Sequence, residues 1–260
     1  MRYATIFIFA GMVALSGCGN RFDLNSEHGR QAAIDEANLY LSTGNCQSAL
    51  EAINPLYLSN HVNDEIRIIR ASADACFSGF QMIPLLVNIG DKPNYFEAIT
   101  KTMNNVAAGD GKIAALYRAT DIVTSNGVAL SAAQRSRTLN DFMVFLQIAV
   151  MGAIQDQYGS GSSEGVQGAT FNYLVAGAGT LSDVDGCAYG AAIGFVADSF
   201  SNSNLGSNAE ANTALTQLNA LCVAAGTTCA VINKDRTLCN GVNAASVAAD
   251  ALVDQANTAW

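Results

Sequence analysis

An all-α fold is predicted by three observations. Apolar residues recur at three- and four-residue steps in segment after segment, the spacing of one helix face. Glycine-bearing turns and polar loops separate those segments. Half of the 260 residues are hydrophobic and only 13% are charged, which is enough apolar surface for a packed core and too little charge for a disordered chain.

The elements follow in order. From about residue 30, Ala33, Ala37, Tyr40 and Leu41 mark a first helix, broken at Thr43-Gly44-Asn45. Ala49, Leu50, Ile53 and Leu56 mark a second. Pro55 falls late in it, so that helix is expected to bend or end near Asn54. Ser59 to Asn63 makes a loop. Ile66, Ile69, Ala73 and Cys76 mark a third helix, ended by Ser78-Gly79. Asn94 to Ala108 is a further helix, Gly109-Asp110-Gly111 a turn, and Lys112 to Thr124 another helix. Ser131 is the expected N-cap of a long helix running to about Tyr158. Its second half, Phe142 to Ile154, is almost wholly apolar apart from Gln147. A central helix buried on all sides is the expectation, because Asp141, Gln147 and a length short of a bilayer span argue against membrane insertion.

Residues 159–168 are low in complexity and read as a surface loop or a linker between halves. Ala169 to Phe200 is rich in Ala and Gly. Gly186, Gly190 and Gly194 fall four apart, so in a helix they share one face and permit close packing. Ala211 to Ala225 and Val242 to Asn257 complete the helical pattern. The organisation expected is a signal segment 1–17, a polar tether 18–29, a helical repeat-like region 30–158, the loop 159–168, and a Cys-containing helical region 169–260. The last is expected to be continuous with 30–158 as one domain.

The N-terminus carries one early positive charge, Arg2. A short apolar run (Ile6 to Leu15) and the small residues Ser16-Gly17 follow, a secretory signal pattern. Leu15-Ser16-Gly17-Cys18 resembles the lipobox of bacterial lipoproteins. The resemblance implies cleavage before Cys18, lipidation of Cys18 and a membrane anchor. In Gram-negative members an Asp after the lipidated Cys favours inner-membrane retention. Here Gly19 follows, so the expected location is the outer membrane, facing the periplasm.

With Cys18 set aside, six of the seven Cys remain: Cys46, Cys76, Cys187, Cys222, Cys229 and Cys239. An even number in an exported chain reads as disulfides, with fifteen possible connectivities. No pair has CxxC spacing, which speaks against a redox motif or a zinc site.

Residues 30–79 resemble a tetratricopeptide repeat. Ala37, Tyr40, Gly44, Ala49 and Ile53 stand at the family's small, aromatic, turn, small and large positions. Ala71 lies 34 residues after Ala37 and Gly79 lies 35 after Gly44. Ala33 departs from the preferred Trp and His61 from the preferred Pro. In stacked antiparallel helices the start of the second helix and the end of the third lie side by side. Cys46–Cys76 is therefore the best supported pairing. For the other four, 222–239 with 187–229, and 229–239 with 187–222, both stay open.

Function is bounded mainly by what is missing. The formal charge is −9 and no basic run exists, which disfavours nucleic acid and anionic lipid as partners. The only His are His28, in the expected tether, and His61, in a loop, too few for a Ser-His-Asp triad or a His-rich metal site. Asp183-Val-Asp185-Gly186 lacks the spacing of a calcium loop and is expected to turn on Gly186 and cap the following helix. No catalytic residue, cofactor or metal is expected. The expected role is a non-enzymatic, lipid-anchored scaffold for envelope proteins or peptides. The alternative is a binder of a small apolar ligand, lined by 142–154 and the Gly-rich segment, or a transport-associated helical lipoprotein, which it loosely resembles. An enzyme using paired carboxylates ranks third.

Overall fold

The computed structural model describes residues 22–80, 103, 106, 109–124, 136–160, 170–171, 182–202, 209–224 and 226. Among the described residues the fold is all-α: seven helices pack against one another, and one two-residue strand pair is the sole extended pairing.

Helix α1 spans Glu27–Ser42. Ser26 caps it, its hydroxyl accepting from the Gly29 amide at 3.0 Å. Gly29 is required here, because a Cβ would stand 2.1 Å from the Asp23 carbonyl oxygen. Phe22 and Leu24 pack onto the nearby core. The expected tether 18–29 is thus corrected. Residues 22–29 belong to the folded body, because the Ser26 cap starts the helix before the apolar periodicity becomes visible.

Gly44, at φ +71°, turns the chain out of α1, and the Asn45 amide donates back to the Tyr40 carbonyl at 2.9 Å. Helix α2 spans Cys46–Tyr57, with Asn45 as its cap. It runs through Pro55, where an end or bend near Asn54 was expected. The proline sits in the last turn with an exposed side chain. The missing Pro55 amide costs one bond to Glu51, while the Leu58 amide still reaches the Asn54 carbonyl at 3.0 Å. Helix α3 spans Asp64–Cys76. Asn63 caps it, and Asp64 and Glu65 lie in its first turn, where negative charge suits the helix dipole. Short turns make α1, α2 and α3 successive antiparallel neighbours. Ala37, Ile53, Leu56 and Ile66 form their shared core. Ala33, Ala37, Ala49 and Ala71 are fully buried, and such small side chains let helix axes approach closely.

Helix α4 spans Lys112–Thr124, as the periodicity predicts, after the turn in which Gly109 and Gly111 both have positive φ. Helix α5 spans Arg137–Tyr158. It starts later than expected: Ser136 caps it, accepting from the Leu139 amide at 3.2 Å, and Ser131 lies outside the described residues. Helix α6 spans Asp183–Asn202 and α7 spans Ala209–Ala224. Gly159-Ser160 (β1) pairs antiparallel with Thr170-Phe171 (β2), joining the ends of the low-complexity stretch. The expected helices 94–108, save Met103 and Val106, and 242–257 lie outside the described residues.

The second and larger core lies between α3, α4, α5, α6 and α7. Leu139, Met143, Leu146, Ile148, Met151 and Ile154 of α5 are buried in it, each contributing roughly 1.5–3 kcal/mol. By length and composition α5 could cross a membrane. It is instead mostly interior, with 78% of its most apolar stretch buried. Gly186, Gly190 and Gly194 are buried along α6, which packs on α5. Helix α3 belongs to both cores: Ile66 and Ile69 face the first, Ala71 and Ala75 the second.

Candidate functional site

Three features could carry function: a groove beside the start of α3, a buried ion network, and the cysteines. The groove encloses about 850 Å³ and is lined by Asn38 of α1, Val62, residues of the first half of α3, and Ser136 and Thr138 at the start of α5. Its floor is apolar, with Ile69 buried and Ile68 half-buried. Its rim is polar, with Asn38 and Glu65 exposed.

Asp64 holds the groove's two sides together. One carboxylate oxygen lies 3.5 Å from Arg67 Nη1, and the other accepts the Ser136 amide at 3.2 Å, across 72 residues of sequence. Arg67 is itself buried, so its stem helps form the floor. Both Asp64 oxygens therefore have structural partners, and the Ser136 hydroxyl is committed to capping α5. What remains is an apolar floor with an amide and a carboxylate on the rim. That arrangement suits contact with an apolar side chain and the polar backbone beside it.

The ion network lies deeper. Asp74 is 3% exposed and receives charge-assisted hydrogen bonds from Arg70, one turn earlier, and from Arg118 Nε of α4 at 3.3 Å. Arg70 also donates to Asn54 of α2 at 3.3 Å and lies over the Tyr57 ring, 5.7 Å from its centre. One buried carboxylate thus links α2, α3 and α4. The i,i+4 spacing of Arg70 and Asp74 is visible in the sequence. Arg118, 44 residues on, carries no such signal.

In the larger core, Gln155 donates to the Tyr189 hydroxyl. Full burial pushes the Tyr189 phenol well above its ordinary range, and the Gln155 bond opposes that only in part. Tyr117 of α4 donates to Asp185 at 2.5 Å. Asp185 and Ser182 form a reciprocal cap, the Ser182 hydroxyl accepting from the Asp185 amide at 3.1 Å and donating to its carboxylate at 2.8 Å. The Asp183-Val-Asp185-Gly186 stretch is therefore the first turn of α6. The expected turn on Gly186 is replaced by a helical hydrogen bond from its amide to the Ser182 carbonyl at 2.9 Å. Among the described residues no group of three His, Cys, Asp or Glu is placed to hold a metal.

Cys46 and Cys76 are disulfide-bonded, with Cα atoms 5.5 Å apart, joining the first residue of α2 to the last of α3. Cys187 in α6 and Cys222 in α7 are buried and each is also disulfide-bonded. Cys18, Cys229 and Cys239 lie outside the described residues. His28 sits in the first turn of α1, not in a tether, and His61 lies in the α2–α3 loop as expected. Both are exposed.

No family model, curated protein or solved structure matches this chain. The functional reading therefore rests on the residues and their geometry.

Proposed function

We propose that this protein is a non-enzymatic, lipid-anchored scaffold of the bacterial envelope, held by Cys18 in the outer membrane and facing the periplasm. Its helical stack would engage an envelope protein or peptide. The observation that carries the reading is the pairing of Leu15-Ser16-Gly17-Cys18 with a disulfide-stapled helical body: a segment that exports and anchors, and cysteines that an oxidising compartment keeps paired. The groove beside α3 supports binding over catalysis, since Asp64 and Ser136 are both committed to holding the fold. The tetratricopeptide-like spacing of Ala37, Gly44, Ala71 and Gly79 belongs to the same proposal. Residues 142–154 are packed inside the helical body, which leaves the groove as the better seat for a partner.

The test is photo-crosslinking in cells from a reactive residue replacing Glu65, on the groove rim. A discrete adduct with an envelope protein is expected. It should disappear with Cys18→Ala and should not form from position Gln47, away from the groove. No adduct from Glu65, or equal adducts from both positions, would overturn the scaffold reading.

A further inference from the structure

Residues 19–21 alone separate the proposed lipid-bearing Cys18 from Phe22, where the described body begins. Four Cα steps span at most about 14 Å. A bilayer's headgroup layer takes up roughly 5–7 Å of that on each side. Phe22 thus cannot stand much more than about 8 Å above the lipid surface.

The end of the body so held can be named. Phe22 and Leu24 lead straight into the start of α1 and pack on the small core, and α1, α2 and α3 are successive antiparallel neighbours. This end therefore carries the start of α1, the finish of α2 and the start of α3. The Arg30 guanidinium is turned inward here, donating to the carbonyls of Leu24 at 3.1 Å and Asn25 at 3.2 Å. Asp23 and Glu27 lie at this end too, and at the start of α3 Asp64 is paired with Arg67 beside exposed Glu65. Leu58 is the exception to this polar rim: it follows the last residue of α2 and is 73% exposed.

Resting on the lipid-anchor reading above, we infer that this end of the α1–α3 layer is a membrane-facing surface, seated on zwitterionic lipid with Leu58 in the headgroup region. Zwitterionic lipid is specified because this end has no basic excess to hold an anionic surface: Asp23, Glu27, Asp64 and Glu65 outnumber Arg21, Arg30 and Arg67, and Arg30 is held by backbone carbonyls and Arg67 by Asp64. Helix α2 then serves as a ruler. Gln47, exposed in its first turn, lies about 16 Å along the axis from Leu58, at the far end.

The test uses the full chain, produced with its signal and reconstituted from membranes into phosphatidylcholine vesicles with brominated acyl chains. Trp260 is the only tryptophan. In a Trp260→Phe background, Leu58→Trp and Gln47→Trp each place one emitter at a known end. Both sites are solvent-exposed, so neither change disturbs the core. Loss of emission from Leu58→Trp and retention from Gln47→Trp is expected. Inserting about twenty Gly/Ser residues between Asn20 and Arg21, an r.m.s. reach of roughly 25 Å, should abolish that loss while flotation persists. Protein that does not float, or floats equally well as Cys18→Ala, refutes the anchor reading and this inference with it. Protein that floats through Cys18 but shows equal quenching at both positions, or none at either, refutes the orientation alone.

Discussion

Removing the Cys46–Cys76 bond, by changing both residues to Ala, should weaken the first core while leaving the second intact. The bond closes a loop with a sequence separation of 30. The chain-entropy relation assigns such a loop about 3.6 kcal/mol at 25 °C. Cys46 is the first residue of α2 and Cys76 the last of α3, while among the described residues the side-chain hydrogen bond between these helices, Arg70 to Asn54, lies toward the other end of α2. With a urea slope of about 2 kcal/mol per molar, the midpoint for unfolding α1–α3 should fall by roughly 1.8 M. The assay is urea denaturation followed by amide exchange, which separates the two cores. Peptides from 27–76 should lose protection at lower urea, and peptides from α5 should hold. A shift below about 0.5 kcal/mol would refute the view that this bond staples the layer. An equal loss in α5 would refute the separation of the cores.

Two further outcomes follow from the buried polar groups. Asp74→Ala leaves the largely buried Arg70 without its carboxylate and should cost about 3–5 kcal/mol. Arg118→Ala should cost under about 1 kcal/mol, because that side chain is 56% exposed. Urea midpoints of the two variants check the contrast, and equal losses would contradict it. Tyr189 gives a pH dependence. Its folded pKa is raised above the unfolded value of about 10, so its contribution is complete below pH 10 and is lost as pH rises, while the unfolded chain releases the proton and the folded one keeps it. Wild type should lose up to about 1.4 kcal/mol per pH unit above pH 10 through this group, a slope missing from Tyr189→Phe. Parallel alkaline melting curves for the two proteins would show that Tyr189 does not set it.

Much of the fold was legible because its cause is local. Periodic apolar residues gave α2, α3 and α4, glycines gave their turns, and the places of Cys46 and Cys76 at two helix ends gave their bond. The departures have physical reasons. The start of α1 was hidden because Ser26 and Gly29 act through hydrogen bonding and close approach to Asp23, not through hydrophobicity. The run of α2 past Pro55 depends on solvent facing that last turn. The Asp74 network and the groove were invisible because both are tertiary. Arg118 comes from 44 residues away, and the groove joins residues 38, 62–65, 67–69, 136 and 138. Cys187 and Cys222 are both disulfide-bonded, as the even number of cysteines beyond Cys18 implies.

Intact mass and N-terminal peptide analysis of the protein extracted from membranes tests the central claim most directly. A mature chain beginning at Cys18, carrying a diacylglyceryl group on sulfur and an acyl group on its amine, is the predicted result. A chain beginning at Met1, or cleaved elsewhere and free of lipid, would contradict the anchor, and with it the envelope scaffold and the seating of the α1–α3 layer on the membrane.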